Sequence, residues 1–118
     1  MAAILLADDD AATRDFVTRA LVADGHRVGV AVDGSEALEK LAEEAWAVLI
    51  SDVEMPGVDG ITLASRAAAA NPRLAVLLMS GFAEELERSR GIGVERLAVL
   101  TKPFTLEQLR ATVRGLLA

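Results

Sequence analysis

Apolar residues recur along this chain in two alternating rhythms. Short apolar runs, "AILLA" at 3–7, "WAVLIS" at 46–51, "LAVLLMS" at 74–80 and "LAVLT" at 97–101, read as strands, and the continuous ones as strands covered on both faces. "RVGVAV" at 27–32 alternates instead, which puts Val28, Val30 and Val32 on one side of a strand. Between these runs the spacing becomes helical. Phe16, Val17, Ala20 and Leu21 form one stripe, closed by Gly25. Ala37, Leu38 and Leu41 form a second, with Ser35 as the expected cap after the Asp33-Gly34 turn. Ile61, Leu63, Ala64 and Ala67 form a third, beginning near Asp59 and halted at Asn71-Pro72. "AEELERSR" at 83–90 predicts a short charged helix with a weak apolar face, and a last helix runs from Thr105, whose spacing to Gln108 is that of a capping box.

Strand and helix thus alternate five times. That order predicts an α/β fold: a five-stranded parallel sheet with helices on both faces, doubly wound by right-handed crossovers. No repeat, low-complexity tract or linker interrupts it, so residues 1–118 read as one domain.

The carboxyl ends of parallel strands share one edge of the sheet, and ligands bind there. The first strand is followed by Asp8 and Asp9, the third by Asp52, the fourth by Ser80 and the fifth by Lys102. Crowded carboxylates need a cation or a proton to coexist. Oxygen ligands without histidine or cysteine suit Mg²⁺ or Ca²⁺, and Mg²⁺ leaves room for water and phosphate. A lysine suits a phosphoryl oxygen as a point charge, a serine can donate to another, and one aspartate is then free to act as nucleophile. Ten of the twelve basic residues are arginine, so a lysine at this edge points to a need for the compact ammonium. The stretch "LISDVEMPGVDG" at 49–60 fits this picture. Asp52 ends its strand because the edge needs an acid, Pro56 blocks immediate helix continuation, and Gly57 and Gly60 are expected to take unusual backbone angles.

Composition narrows the classes. Cysteine is absent and there is one histidine, which removes disulfides, thiolate chemistry and Cys or His zinc sites. A net charge of −6 argues against direct nucleic-acid binding. No apolar run reaches a membrane span and the N-terminus lacks a basic region before its apolar stretch, so a cytoplasmic protein without a membrane partner is expected.

"ILLADDD", "LISDVEMPGVDG", "LLMSG" and "LTKPF", in this order, resemble the receiver domain of bacterial two-component response regulators over the whole chain. The resemblance implies a strand order of 2-1-3-4-5 and no turnover beyond phosphorylation and dephosphorylation of the protein's own aspartate. It makes Asp52 the phosphoacceptor. Asp9 binds Mg²⁺ directly, Asp8 mainly through water, and Asp52 and the backbone carbonyl of Glu54 complete the protein ligands. Ser80 follows the phosphoryl group, and Lys102 pairs with it next to a cis bond to Pro103. The phosphodonor is a histidine kinase or histidine phosphotransferase, and an output protein reads the state. "TRAL", "GHRV", "SGFAEE" and "VLTKPF" are similar, more narrowly, to single-domain regulators of alphaproteobacterial cell-cycle relays. That similarity implies an unphosphorylated form that primes the ClpXP protease, with ClpX as partner. The chain departs from many receivers at Val99, where they carry an aromatic ring that turns inward on phosphorylation. Glu54 places an acid where its side chain influences hydrolysis of the acyl phosphate.

Simpler readings stand beside these. Asp8, Asp9 and Asp10 are also good helix-start acids, and Asp10 suits capping better than metal binding. Ser80 alone would be a strand-end hydroxyl, Lys102 alone a solvated charge, His26 a surface turn residue, Trp46 a packing residue, and 83–90 a solvated face. The rival functions are a small Mg²⁺-dependent phosphatase with an aspartate nucleophile, since "DVE" echoes D-x-D, a receiver serving as a relay intermediate, and a pseudo-receiver with a relic site.

Overall fold

The computed structural model describes residues 1–118. Its elements run β1 (Ala3–Ala7), α1 (Ala11–Ala23), β2 (Arg27–Ala31), α2 (Gly34–Glu43), β3 (Val48–Asp52), α3 (Gly60–Ala70), β4 (Ala75–Ser80), α4 (Ala83–Arg88), β5 (Arg96–Thr101) and α5 (Leu106–Leu117). The strands are parallel and ordered β2-β1-β3-β4-β5. Pairing places Ala7 opposite Ala31 and Ser51, and Ser80 opposite Thr101, so the residues just past β1, β3, β4 and β5 gather at one edge.

Side-chain alternation divides the core in two. Ile4 and Leu6 of β1, with Val48 and Ile50 of β3, pack on Val17, Ala20 and Leu21 of α1 and Leu109, Val113 and Leu116 of α5. Leu5, Ala7 and Leu49 face the other way, onto Ala37 of α2, Leu63, Ala64 and Ala67 of α3 and Leu86 of α4. Every residue of β1 from Ile4 onward, and all of β3 and β4, is buried, as continuous apolar runs require.

Four local expectations change. β2 ends at Ala31, so Val32 lies outside it; Val30 and Val32 are exposed, Ala31 is buried, and Gly29 lies under Trp46, where a β-carbon would come within 2.5 Å of the ring. The cap of α2 is Asp33, whose carboxylate accepts from the Glu36 amide, so the helix begins before Ser35. Trp46 precedes β3 rather than belonging to it; its indole N–H donates to the Lys40 carbonyl and its face receives the Arg27 guanidinium. Phe16 is not core but stands exposed, its ring 6.3 Å from that of Phe104.

Other signals hold. Asp10 caps α1 through the Thr13 amide and hydroxyl, which holds its carboxyl below the ordinary range. Gly25 closes that helix at φ +89°. Asp59 caps α3, and Thr105 and Gln108 form the capping box of α5. No helix is long and apolar enough to cross a membrane.

Candidate functional site

Of the acids at the sheet edge, Asp8 is held by the backbone that follows its strand. Asp8 is fully buried: its Oδ1 accepts from the Asp10 amide at 2.8 Å, and its carbonyl accepts from Arg14. Asp9 is exposed. Asp52, at the end of β3, is 8% exposed, and its carbonyl accepts from the Ser51 hydroxyl. Carboxylate oxygens of Asp8, Asp9 and Asp52 lie within 4.8 Å of one another. Lys102 closes the cluster from β5, with Nζ 3.5 Å from Asp8 Oδ2 and 3.4 Å from Asp52 Oδ2, beside a cis bond to Pro103.

The loop 53–59 is fixed from below by two close approaches. Gly60 donates to the Val53 carbonyl and lies against the Asp52 backbone, so its lack of a side chain serves space rather than an unusual angle. Gly34 makes a similar approach to Val58, and of Gly34, Gly57 and Gly60 only Gly57 has positive φ, +76°. The loop lines a cavity of about 400 Å³ beside Asp9, bounded also by Glu54, Met55, Asp59, Glu85 and Arg88.

Burial pushes the Asp52 carboxyl up to about 6, against the pull of Lys102 and with the push of Asp8. Burial likewise raises Asp8, despite the Asp10 amide and Lys102. A carboxyl raised on folding binds protons more tightly in the native state, so its contribution is fully present below the unfolded value near 4 and is lost as pH rises through about 6. In metal-free buffer, wild type should therefore lose on the order of 2 kcal/mol relative to Asp52→Asn between pH 4 and pH 7. Urea melts across that range check this; parallel curves for the two proteins would contradict it.

Ser80 sits where expected, at the end of β4, but its hydroxyl is engaged elsewhere. It donates to Glu85 Oε1 at 2.5 Å and accepts from the Phe82 amide at 3.0 Å. Val99 is exposed on β5. Glu85 lies outside the site that the sequence predicts, on a helix expected to be solvated; its signal is an acid at the third position of that helix, where side chains reach back over the helix start.

The fold and this edge define a class of protein. Residues 4–114 match the response regulator receiver domain family, and the chain belongs to it. Members are phosphoacceptor switches of two-component signalling that work with histidine kinases and output partners. Among curated relatives, the chain is 38% identical to the response regulator receiver protein CpdR of Brucella abortus, over 92% of this chain and 91% of that one. It is 37% identical to response regulator MprA of Mycobacterium ulcerans over 97% of its own length but spans only 49% of MprA. Among solved structures, Vibrio cholerae chemotaxis protein CheY4 superimposes with a TM-score of 0.88 at 30% identity, covering 98% of each chain.

Proposed function

We propose that this chain is a single receiver domain, residues 1–118, that accepts a phosphoryl group on Asp52 in a Mg²⁺-dependent reaction and changes its protein contacts as a result. The observation that carries the reading is the meeting of Asp8, Asp9, Asp52 and Lys102 within one cluster at the strand ends. The donor set fits a small divalent cation: three carboxylates crowd together, and the buried Asp8 Oδ2 has no hydrogen-bond partner. Asp9 and Asp52, with the Glu54 carbonyl, would hold Mg²⁺, and Asp8 would act through water. When bound, Mg²⁺ supplies positive charge to the oxygens of a phosphoryl group.

The protein's own residues do the rest. An Asp52 carboxylate oxygen attacks phosphorus, the bond from phosphorus to the donor nitrogen or oxygen breaks, and the donor leaves with its electron pair. Lys102 then pairs with a phosphoryl oxygen in place of part of its pairing with Asp52 and Asp8. With a pKa of about 6, Asp52 is ionised and nucleophilic at neutral pH. Retention of all three acids and the lysine disfavours a relic site.

Incubation with acetyl phosphate and Mg²⁺, read by intact mass, tests the reading. Wild type should gain one phosphoryl group, Asp52→Asn none, and wild type none in EDTA. Labelling of Asp52→Asn at the wild-type rate would rule it out.

Likeness to CpdR over 92% of this chain and 91% of that one supports a cytoplasmic regulator whose unphosphorylated form binds ClpX. Immobilised wild type should retain ClpX and release it on phosphorylation, whereas Asp52→Ala should retain it under both conditions. Equal retention of ClpX by phosphorylated and unphosphorylated wild type would exclude this output.

A further inference from the structure

Helix α4 starts without a cap of its own. Its N-cap residue is Phe82, which offers no side-chain hydrogen bond. The polar group at this helix start is instead the Ser80 hydroxyl, two residues before the cap at the end of β4. It accepts from the Phe82 amide at 3.0 Å and donates to Glu85 Oε1 at 2.5 Å. Ser80 is 1% exposed, and the Glu85 side chain is only 19% exposed. A short hydrogen bond to a carboxylate is among the stronger kinds. Arg88 lies 3.8 Å from the other Glu85 oxygen and helps keep that side chain turned toward the site. Few other contacts fix this six-residue helix; Leu86 is its one buried side chain.

From this geometry we infer that Glu85 is a positioning residue that holds the Ser80 hydroxyl away from Asp52 in the unphosphorylated protein and anchors the first turn of α4 through the same bond. The inference rests on the receiver reading in one respect, that the hydroxyl is wanted by a phosphoryl group on Asp52. A hydroxyl has one proton to donate, so Ser80 cannot donate to Glu85 and to a phosphoryl oxygen at once. Glu85 also lines a cavity with Asp9, Glu54 and the cationic Arg88, so negative charge added at this edge disfavours its carboxylate there. Both effects act in one direction: gaining the hydroxyl and expelling the Glu85 carboxylate are the same event, and the first turn of α4 loses its anchor when it happens. Phosphorylation is thereby read out through Glu85, without a moving ring at Val99.

Two measurements test this. In buffer without phosphodonor or Mg²⁺, hydrogen exchange of residues 83–88 should be about tenfold faster in Glu85→Ala than in wild type, the effect of losing one charge-assisted bond. Glu85→Gln, which keeps an accepting oxygen, should stay near wild type. Adding Ser80→Ala to Glu85→Ala should produce much less further change than Ser80→Ala produces in wild type, because the two residues share the bond. With acetyl phosphate and Mg²⁺, Asp52 should be labelled roughly threefold to tenfold faster in Glu85→Ala, because the hydroxyl no longer has to be won from Glu85. Wild-type exchange in Glu85→Ala, exchange in Glu85→Gln as fast as in Glu85→Ala, or unchanged labelling would each overturn the inference. Failure of wild type to take a phosphoryl group would sink the receiver reading instead, and the donor-free exchange experiment would still decide whether Glu85 anchors Ser80 and α4.

Discussion

Lys102→Ala should slow phosphorylation of Asp52 by roughly a hundredfold to a thousandfold, the usual loss when one preorganised partner of a developing oxyanion is removed. The ammonium stands 3.4 Å from Asp52 and 3.5 Å from Asp8, and no other cationic side chain makes an ion pair with either acid. Its position is set by β5, whose Thr101 pairs with Ser80, and its amide donates to the Ser80 carbonyl, so the charge is placed before any donor arrives. Two effects add in the variant. The phosphoryl oxygens lose a counter-charge in the transition state. Asp52, already raised to about 6 by burial, also loses the neighbour that pulls it down and so shifts upward, which leaves less nucleophilic carboxylate at neutral pH. Lys102→Arg should recover only part of the rate, since a planar guanidinium does not occupy the ammonium's place. Initial rates of mass gain with acetyl phosphate, from pH 5 to pH 8, separate the two effects: a pH shift alone would recover at high pH, whereas loss of the counter-charge would not. A wild-type rate for Lys102→Ala would remove the lysine from the mechanism.

Gly60→Ala should lower stability by about 3 kcal/mol or more, a Tm loss of roughly 15 °C for a domain of this size. A β-carbon there would sit 2.9 Å from the Asp52 carbonyl carbon and the Val53 Cα, and closer still to the Asp52 carbonyl oxygen. All three are backbone atoms, and β3 is buried and paired on both sides, so none can yield cheaply. Either α3 backs away, breaking the Gly60 to Val53 hydrogen bond, or the end of β3 moves and takes Asp52 out of register with Asp8 and Lys102. Phosphorylation should therefore fall along with stability. Gly81→Ala is the control: a β-carbon there meets nothing within 4 Å, so its Tm should stay near wild type. Thermal melts of the two variants, compared with wild type, decide the point. A Gly60→Ala protein that melts with wild type would show that the strand end and helix can separate freely.

The two variants also mark what could be read without coordinates. Lys102 was legible because it follows an apolar run, and every strand in a parallel sheet delivers its next residue to the same edge. Asp8, Asp9, Asp52 and Ser80 were legible for the same reason. Gly60 was noticed but misread, because a glycine in a sequence looks like a turn residue, while its need here comes from a helix start pressed on a strand end. The burial of β2 was not legible, because alternation specifies two faces without saying which is covered; Val30 is exposed, whereas Ala31 is buried and Gly29 lies against Trp46.

By itself, then, the sequence determined the elements, their parallel arrangement and the chemistry gathered at the strand ends, because hydrophobic period and strand polarity are local properties written along the chain. Tertiary structure alone decided three things. It set the raised Asp52 carboxyl, which depends on burial beside Asp8 and Lys102. It set the clearances at Gly34 and Gly60, which depend on a loop packed from elsewhere and on the end of β3. It also set the hold of Glu85 on the Ser80 hydroxyl, for two residues five apart across a strand–helix junction meet only when α4 folds back over the end of β4.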